Sequence, residues 1–368
     1  MDIYAPDQIK QLVKQTVNKI HALSVKPITL MEVCGGHTMA IQKAGIPSLL
    51  PHHIKLLSGP GCPVCVTDRE YIDRAIAYAR LPNVITATFG DLMRVPGSEE
   101  SLYEVKAEGA DIRVVYSALE ALRLAWGYPL KKIIFLAIGF ETTAPGTAVA
   151  IREAQQMNKD NLMVLSAHKL MPPAMEAILQ ADIPINGYLA PGHVCTITGA
   201  DIFQFIPQKY HLPVVVSGFE PLDILQSILL LVQQIEKEEA RVEIQYKRVV
   251  SHEGNIKAQH IMNEVFEPHD SWWRGLGILP GSGLKIRHEY KSYDARERIH
   301  MEIPPAQEPE DCICGDILKG VKTTPDCPLY KTICNPDHPI GACMVSSEGA
   351  CQAYYRYHQS SRNHESKT

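Results

Sequence analysis

The chain has 368 residues, too many for one typical domain, so two or three units are expected. It is 45% hydrophobic and 21% charged, the balance of an ordinary globular protein rather than a disordered or membrane-embedded one. The formal net charge of -5 speaks against nucleic acid or an anionic membrane as partner.

Residues 1–26 open with "MDIYAPDQIKQLVKQTVNKI", which is polar and helical in period and reads as an N-terminal helical extension, not a signal peptide. Eight β-rich apolar runs follow. They are residues 27–33, 54–59, 83–90, 111–117, 132–140, 161–167, 185–191 and 212–218. Several are apolar without alternation, as parallel strands covered on both faces should be. Helical patterns fall between them; in 68–80, Ile72, Ala75, Ile76 and Ala79 form one apolar face. The alternation predicts an α/β fold with parallel sheets. "VVYSALEAL" (114–122) and "VVVSGFEPL" (214–222) share a frame at an offset of 100. That repetition points to two related α/β domains, 27–130 and 131–235, although unrelated strand-to-helix turns also look alike. The run "ILQSILLLVQQI" is too short and too interrupted by Gln to span a bilayer. Residues 236–368 differ in texture. "SWWRGLGILPGSGLKI" (271–286) is loop-rich, and "EIPPAQEPEDCICG" (302–315) reads as a linker into a third, C-terminal module.

Without an export signal, a reducing cytoplasm is the expected compartment, and ten cysteines there favour metal or redox chemistry over a disulfide framework. Six of them, Cys312, Cys314, Cys327, Cys334, Cys343 and Cys351, crowd the C-terminus. Cys314, Cys327, Cys334 and Cys351 give C-x12-C-x6-C-x16-C, without the close C-x2-C pairs of zinc ribbons. Four thiolates from dispersed loops suit an iron–sulfur cubane, with zinc or unligated thiols as the alternatives. Spacing alone does not choose four ligands among six.

Three turns follow strands. "MEVCGGHTMA" holds Cys34 and His37; "SGPGCPVCVTDRE" holds Cys62 and Cys65; "AIGFETTAPGTAVA" holds Glu141. All three are expected at the carboxyl edge of a parallel sheet, where open α/β folds bind ligands. A C-x-x-C ahead of a helix favours thiolate and can open and close a disulfide. Thr67 and Glu70 match a capping box that would start that helix just after Cys65. His37 can serve as acid, base or ligand, and Glu141 can move a proton or orient His37. Taken singly, each has a plainer role: Cys34 as packing, His37 as a helix-start hydrogen bonder, Glu141 as a helix N-terminal carboxylate. "SAHKLMPPA" and "APGHVCTITG" are expected to line the same cleft, with Cys195 structural.

"EVCGGHT", "GPGCPVCV", "GFETTAPGTA", "SAHKLMPPA", "PGHV" and "MVSSEGAC", in this order, resemble the HypD family of hydrogenase maturation factors, from about residue 30 to 355. The resemblance implies a scaffold for the iron centre of nickel–iron hydrogenase, with its cyanide and carbon monoxide ligands. It implies a small chaperone partner, HypC, a cyanide donor, HypE, and indirectly the hydrogenase large subunit. By resemblance, Cys34 holds the iron with His37 beside it, and Cys62 and Cys65 form the C-P-V-C pair. Cys314, Cys327, Cys334 and Cys351 would ligate a [4Fe–4S] cluster, leaving Cys312 and Cys343 spare. Cys195 departs from the family pattern, which leads one to expect a serine-like residue after "PGHV". The cluster, the cysteine pair and the iron imply a redox relay, which requires the third module to pack over the sheet edge. The competing expectation is an iron–sulfur thiol–disulfide reductase acting on a protein. A third, weaker one is a zinc-stabilised small-molecule enzyme.

Overall fold

A computed structural model describes residues 6–181, 183–306 and 308–365. All eight expected strands form: β1 Ile28–Glu32, β2 Ile54–Ser58, β3 Val84–Thr88, β4 Ile112–Val114, β5 Lys132–Gly139, β6 Leu162–His168, β7 Gly187–Pro191 and β8 Val214–Ser217. A short β9, Val242–Ile244, and a hairpin of β10, Phe266–Trp273, and β11, Gly277–Ile286, follow.

The strands build two parallel sheets, in the orders β2-β1-β7-β8-β9 and β4-β3-β5-β6. The α/β class with parallel sheets therefore holds. The sheet membership departs from the split expected at residue 130. The chain starts the first sheet with β1 and β2, builds the whole second sheet, then returns to finish the first. Local patterning reveals a strand but not its neighbour: β1 pairs with β7, Leu30 opposite Gly187, across most of the intervening chain. The two similar frames do occupy matching turns, one after β4 and one after β8.

Burial on both faces explains the unbroken apolar runs. In β5, Ile134, Leu136 and Ile138 join Tyr188, Val214 and Val216 of the other sheet in a shared central core. Its alternate residues, Ile133, Phe135 and Ala137, pack outward under the helices Ala118–Gly127 and Ala144–Gln156. The outer face of the first sheet, with Ile28, Leu30, Leu189 and Val215, is covered by the helix Pro221–Glu236. The N-terminal helix α1, Pro6–Leu23, lies against that helix. The first five residues of the expected extension lie outside the described residues. The turn after α1 is pinned where Glu236 Oε1 accepts from the N–H groups of Val25 and Lys26, at 2.8 and 3.0 Å.

The cysteine-rich C-terminal segment packs on the first sheet. Helix Cys314–Lys319 contacts β2, the turn Ala342–Val345 contacts the C-P-V-C turn, and helix Ala350–Glu365 packs on α2, Gly35–Lys43. Residues 366–368 of the expected third module lie outside the described residues. No helix among the described residues is long and apolar enough to cross a membrane.

Candidate functional site

Cys34 follows β1 by two residues and stands with an extended backbone at the N-cap of α2. Gly61, after β2, packs directly on it: a Cβ there would collide with the backbone of Val33 and Cys34, and Gly61 O accepts from Gly35 N at 2.9 Å. This contact needs a glycine, and it fixes the C-P-V-C turn beside Cys34. Cys62 and Cys65 are joined as a disulfide with Cα atoms 5.2 Å apart. Cys62 caps the short helix Pro63–Val66, with its Sγ accepting from Cys65 N. The expected T-x-x-E cap is not used. Asp68 caps the next helix, Arg69–Ala79, by accepting from Tyr71 N at 2.6 Å, while Thr67 Oγ1 donates back to Pro63 O. Asp68 wins because its carboxylate reaches the orphan N–H from the residue immediately before the helix.

These turns meet the G-F-E-T-T turn of the second sheet around a cleft of about 460 Å³. Its walls include Cys34, Gly61, Pro63, Phe140, Thr143 and His193, with Glu348 reaching in from the C-terminal segment. The two sheets thus join carboxyl edges here. Ser346 Oγ donates to Asp91 Oδ2 at 3.0 Å, so the segment that brings Glu348 is tied to the loop after β3. "PGHV" lines this cleft through Pro191, His193 and Val194, as expected. "SAHKLMPPA" does not: Ser166–Lys169 face a separate cavity of about 600 Å³ beside the β10–β11 hairpin. The hairpin causes the separation, since Ser282 O and Gly283 run alongside the end of β6.

Cys34 is partly exposed to the cleft. Desolvation, then the carboxyls of Glu348 and Glu32, push its thiol up to about 12. It is therefore a neutral thiol near pH 7. Glu32 is buried beneath it, accepting from Thr38 Oγ1 at 2.5 Å and Cys34 N at 3.0 Å, and burial raises its pKa to about 7. Glu348 is also raised, by burial and then by Asp91.

His37 and Glu141 stand behind the cleft wall. His37 Nε2 donates to Gly218 O at 3.0 Å, so Nδ1 carries the lone pair, buried with no partner. Burial lowers its pKa to about 4, which keeps it neutral near pH 7. Phe219 stacks between His37 and His193, at 4.6 and 3.9 Å. Glu141 Oε1 accepts from Met171 N at 2.9 Å, Oε2 is buried with no partner, and burial raises the pKa to about 7. Each thus has its own backbone partner, Gly218 for one and Met171 for the other, in place of the expected orienting contact between them. Cys195 is fully buried, with a thiol raised well above the ordinary value by that burial.

At the C-terminus the two cysteines expected to be spare, Cys312 and Cys343, stand beside Cys314 of the expected quartet. The thiols of Cys312 and Cys343 are both pushed up, first by the adjacent Cys314 thiol and then by burial. Gly341 sits against the sulfurs of Cys312 and Cys314, where any Cβ would fill the space. Cys334 Sγ accepts from Ile340 N at 3.4 Å, and Thr324 Oγ1 donates to Cys351 Sγ at 3.8 Å. Cys327 remains partly exposed. Among the described residues no group of three or more His, Cys, Asp or Glu is arranged to hold a metal ion. The donor chemistry, soft sulfurs around a turn without side chain, nevertheless fits a thiolate-bound cluster.

Glu32 and Glu348 lie inside the motifs "MEVCGGHTMA" and "MVSSEGAC", whose pattern assigns neither a role. A carboxylate two residues before a strand-end cysteine was the available signal for Glu32. Glu348 reaches Cys34 only by tertiary packing.

Fold and site together define an α/β protein whose joined sheet edges gather a thiol, a disulfide and buried acids. That equipment suits a soft metal ion or thiol redox chemistry. A family model named HypD and described as "Hydrogenase formation hypA family" matches residues 11–358. The chain is 47% identical over 336 residues to hydrogenase maturation factor HypD of Azotobacter vinelandii, covering 89% of each chain. It is 44% identical over 362 residues to the factor of the same name from Escherichia coli K12, covering 96% of each. It is 46% identical over 336 residues to that of Cupriavidus necator, covering 89% of each. The chain belongs to the HypD family.

Proposed function

We propose that this protein acts in the cytoplasm as an assembly scaffold for the iron centre of nickel–iron hydrogenase, with iron as its cargo. One observation carries the reading: Cys34 opens into a cleft where both sheet edges, the Cys62–Cys65 turn and Glu348 meet. Iron bearing strong-field cyanide and carbon monoxide ligands takes soft thiolate donors. Cys34 supplies one, and a cysteine of a HypC-like small chaperone supplies another. Metal binding releases the Cys34 proton, and Glu32 or Glu348 stands ready to take it. His193 and the threonines of the G-F-E-T-T turn face the cargo from the far wall, while His37 and Glu141 support that wall. A HypE-like protein delivers cyanide to the open side, and the hydrogenase large subunit receives the finished centre.

The Cys62–Cys65 pair lies one residue from the Gly61 contact with Cys34, which supports its serving the iron with electrons once the disulfide has been reduced. Cys314, Cys327, Cys334 and Cys351 would hold a [4Fe–4S] cluster, whose chemistry is one-electron transfer. Packing of the turn Ala342–Val345 against the C-P-V-C turn supports that proximity. The competing reading, a thiol–disulfide reductase acting on a protein, is disfavoured by burial: Cys62 and Cys65 are 3% and 0% exposed, too enclosed for a protein disulfide to reach.

The test is infrared spectroscopy of the anaerobically purified chain mixed with the small chaperone. Cyanide and carbon monoxide bands that vanish in Cys34→Ala support the scaffold. Bands that persist in that variant, or none under any partner condition, overturn it.

A further inference from the structure

Three consecutive residues at the tip of the β10–β11 hairpin touch three separate parts of the site. Trp273 is fully buried, donates Nε1 to Ser282 Oγ at 2.9 Å, and stacks at 5.9 Å on Phe140, the residue before Glu141. Arg274 takes all three carbonyls that follow the disulfide. Its Nε donates to Cys65 O, its backbone N to Val66 O and its Nη2 to Thr67 O, each at 2.9 Å. Gly275, with φ of +85°, lies against the backbone of Gly315, so closely that a Cβ on it would collide. Gly315 adjoins Cys314. Arg274 is 7% exposed; its Nη1 pairs with Glu308 of the linker, and the guanidinium carbon lies 5.9 Å from the Trp272 ring.

A buried cation is costly unless charge or dipoles compensate it. Here one carboxylate and two carbonyls do so, and the carbonyls belong to the turn that carries the two cysteines. A cation fixed there stabilises the thiolate that appears when the disulfide opens.

We propose that Arg274 is a positioning residue that holds the Cys62–Cys65 turn and sets the pair's reduction potential, with Glu308 as the counter-charge that moderates it. Through Gly275 the same tip fixes the distance from this turn to the C-terminal thiols. The proposal rests on the redox reading of the pair given above. In the step concerned, a dithiol reagent attacks and the Cys62–Cys65 S–S bond breaks. Two electrons pass to the pair, the reagent closes to its own disulfide, and its protons go to the released sulfurs or to solvent.

The experiment equilibrates the full-length, anaerobically purified chain in dithiothreitol redox buffers at fixed pH. Rapid alkylation and peptide-resolved mass spectrometry then read the oxidised fraction of this pair alone. Arg274→Gln is expected to make the pair about tenfold harder to reduce, a shift of about 30 mV to more negative potential. Arg274→Lys, which keeps the charge, stays closer to the parent. Glu308→Gln, which unmasks the cation, shifts the potential the opposite way. A purely structural role moves both sites in one direction, so shifts of the same sign, or none, overturn the proposal. If Arg274→Gln does not fold, Glu308→Gln decides alone, and the absence of a positive shift refutes the idea. A parent pair that never titrates overturns this proposal together with the redox reading, whereas a titrating parent with unmoved variants overturns only the role of Arg274.

Discussion

Glu141 offers a stability test of the site's electrostatics that requires no partner protein. Its carboxyl is buried, with one oxygen bonded to Met171 N and the other without a partner. Burial raises its pKa from 4.5 to about 7. The folded state therefore holds a proton that the unfolded state has released, and the contribution is greatest below pH 4.5. Stability is lost as pH rises from 4.5 through 7. Linkage gives a penalty of about 1 kcal/mol at pH 5 and about 3 kcal/mol at pH 8. Glu141→Gln retains the acceptor for Met171 N but does not titrate. It also leaves an unpaired amide, a constant cost of about 1–2 kcal/mol. The variant should be less stable than the parent, or equal to it, at pH 5. Relative to the parent it should gain about 2 kcal/mol by pH 8, with little further change above pH 7. Urea unfolding at pH 5, 6, 7 and 8 reads the difference. A difference that does not vary with pH would mean that the carboxyl is already ionised in the folded protein and that burial does not dominate it.

Gly61→Ala should cost about 2–3 kcal/mol, because its Cβ must displace the Val33–Cys34 backbone, and it should change the alkylation rate of Cys34; thermal unfolding and thiol kinetics check both. Phe219→Ala removes the ring between His37 and His193 and should cost about 2 kcal/mol, while raising the His37 pKa above 4 as water enters, visible in imidazole NMR titration. Lys169 is buried with a pKa lowered to about 8, its Nζ donating to Ser271 Oγ and Trp272 O. The unfolded chain binds that proton more strongly, so the parent gains stability from pH 8 towards pH 10. Lys169→Met should lack that rise, and melts across this range test it.

The eight strands between residues 27 and 218 were legible because their apolar runs are bounded by turn residues and most, such as β3, β5 and β7, are buried on both faces. Residues 271–286, read as loop-rich from their glycines, instead fold as most of the β10–β11 hairpin. The strand-end location of Cys34, Cys62, Cys65 and Glu141 was equally legible, since glycine-rich turns after strands mark a parallel sheet's carboxyl edge. What sequence pattern could not convey is partnership over distance. Nothing local in β1 says that β7 lies beside it. Nothing near Glu348 says that it faces Cys34. The spacing of the C-terminal cysteines left the choice of four among six open, and nothing in it says that Cys312 and Cys343 lie beside Cys314 in the fold. His37 and Glu141 were recognised as special residue types in special turns. Their burial, which decides their protonation, depends on Phe219 and on the helix after β6.

The interrupted first sheet has a consequence for the chain as it leaves the ribosome. The strands β1 and β2 emerge first, but β1 waits for β7, with Leu30 meeting Gly187, and β8 and β9 come later still. The second sheet, β3 to β6, is complete in the nascent chain before that partner exists. Glu348, which closes the cleft, is synthesised almost last. The pocket around Cys34 therefore cannot close on a partial product, and a chain truncated before Glu348 lacks one of its walls.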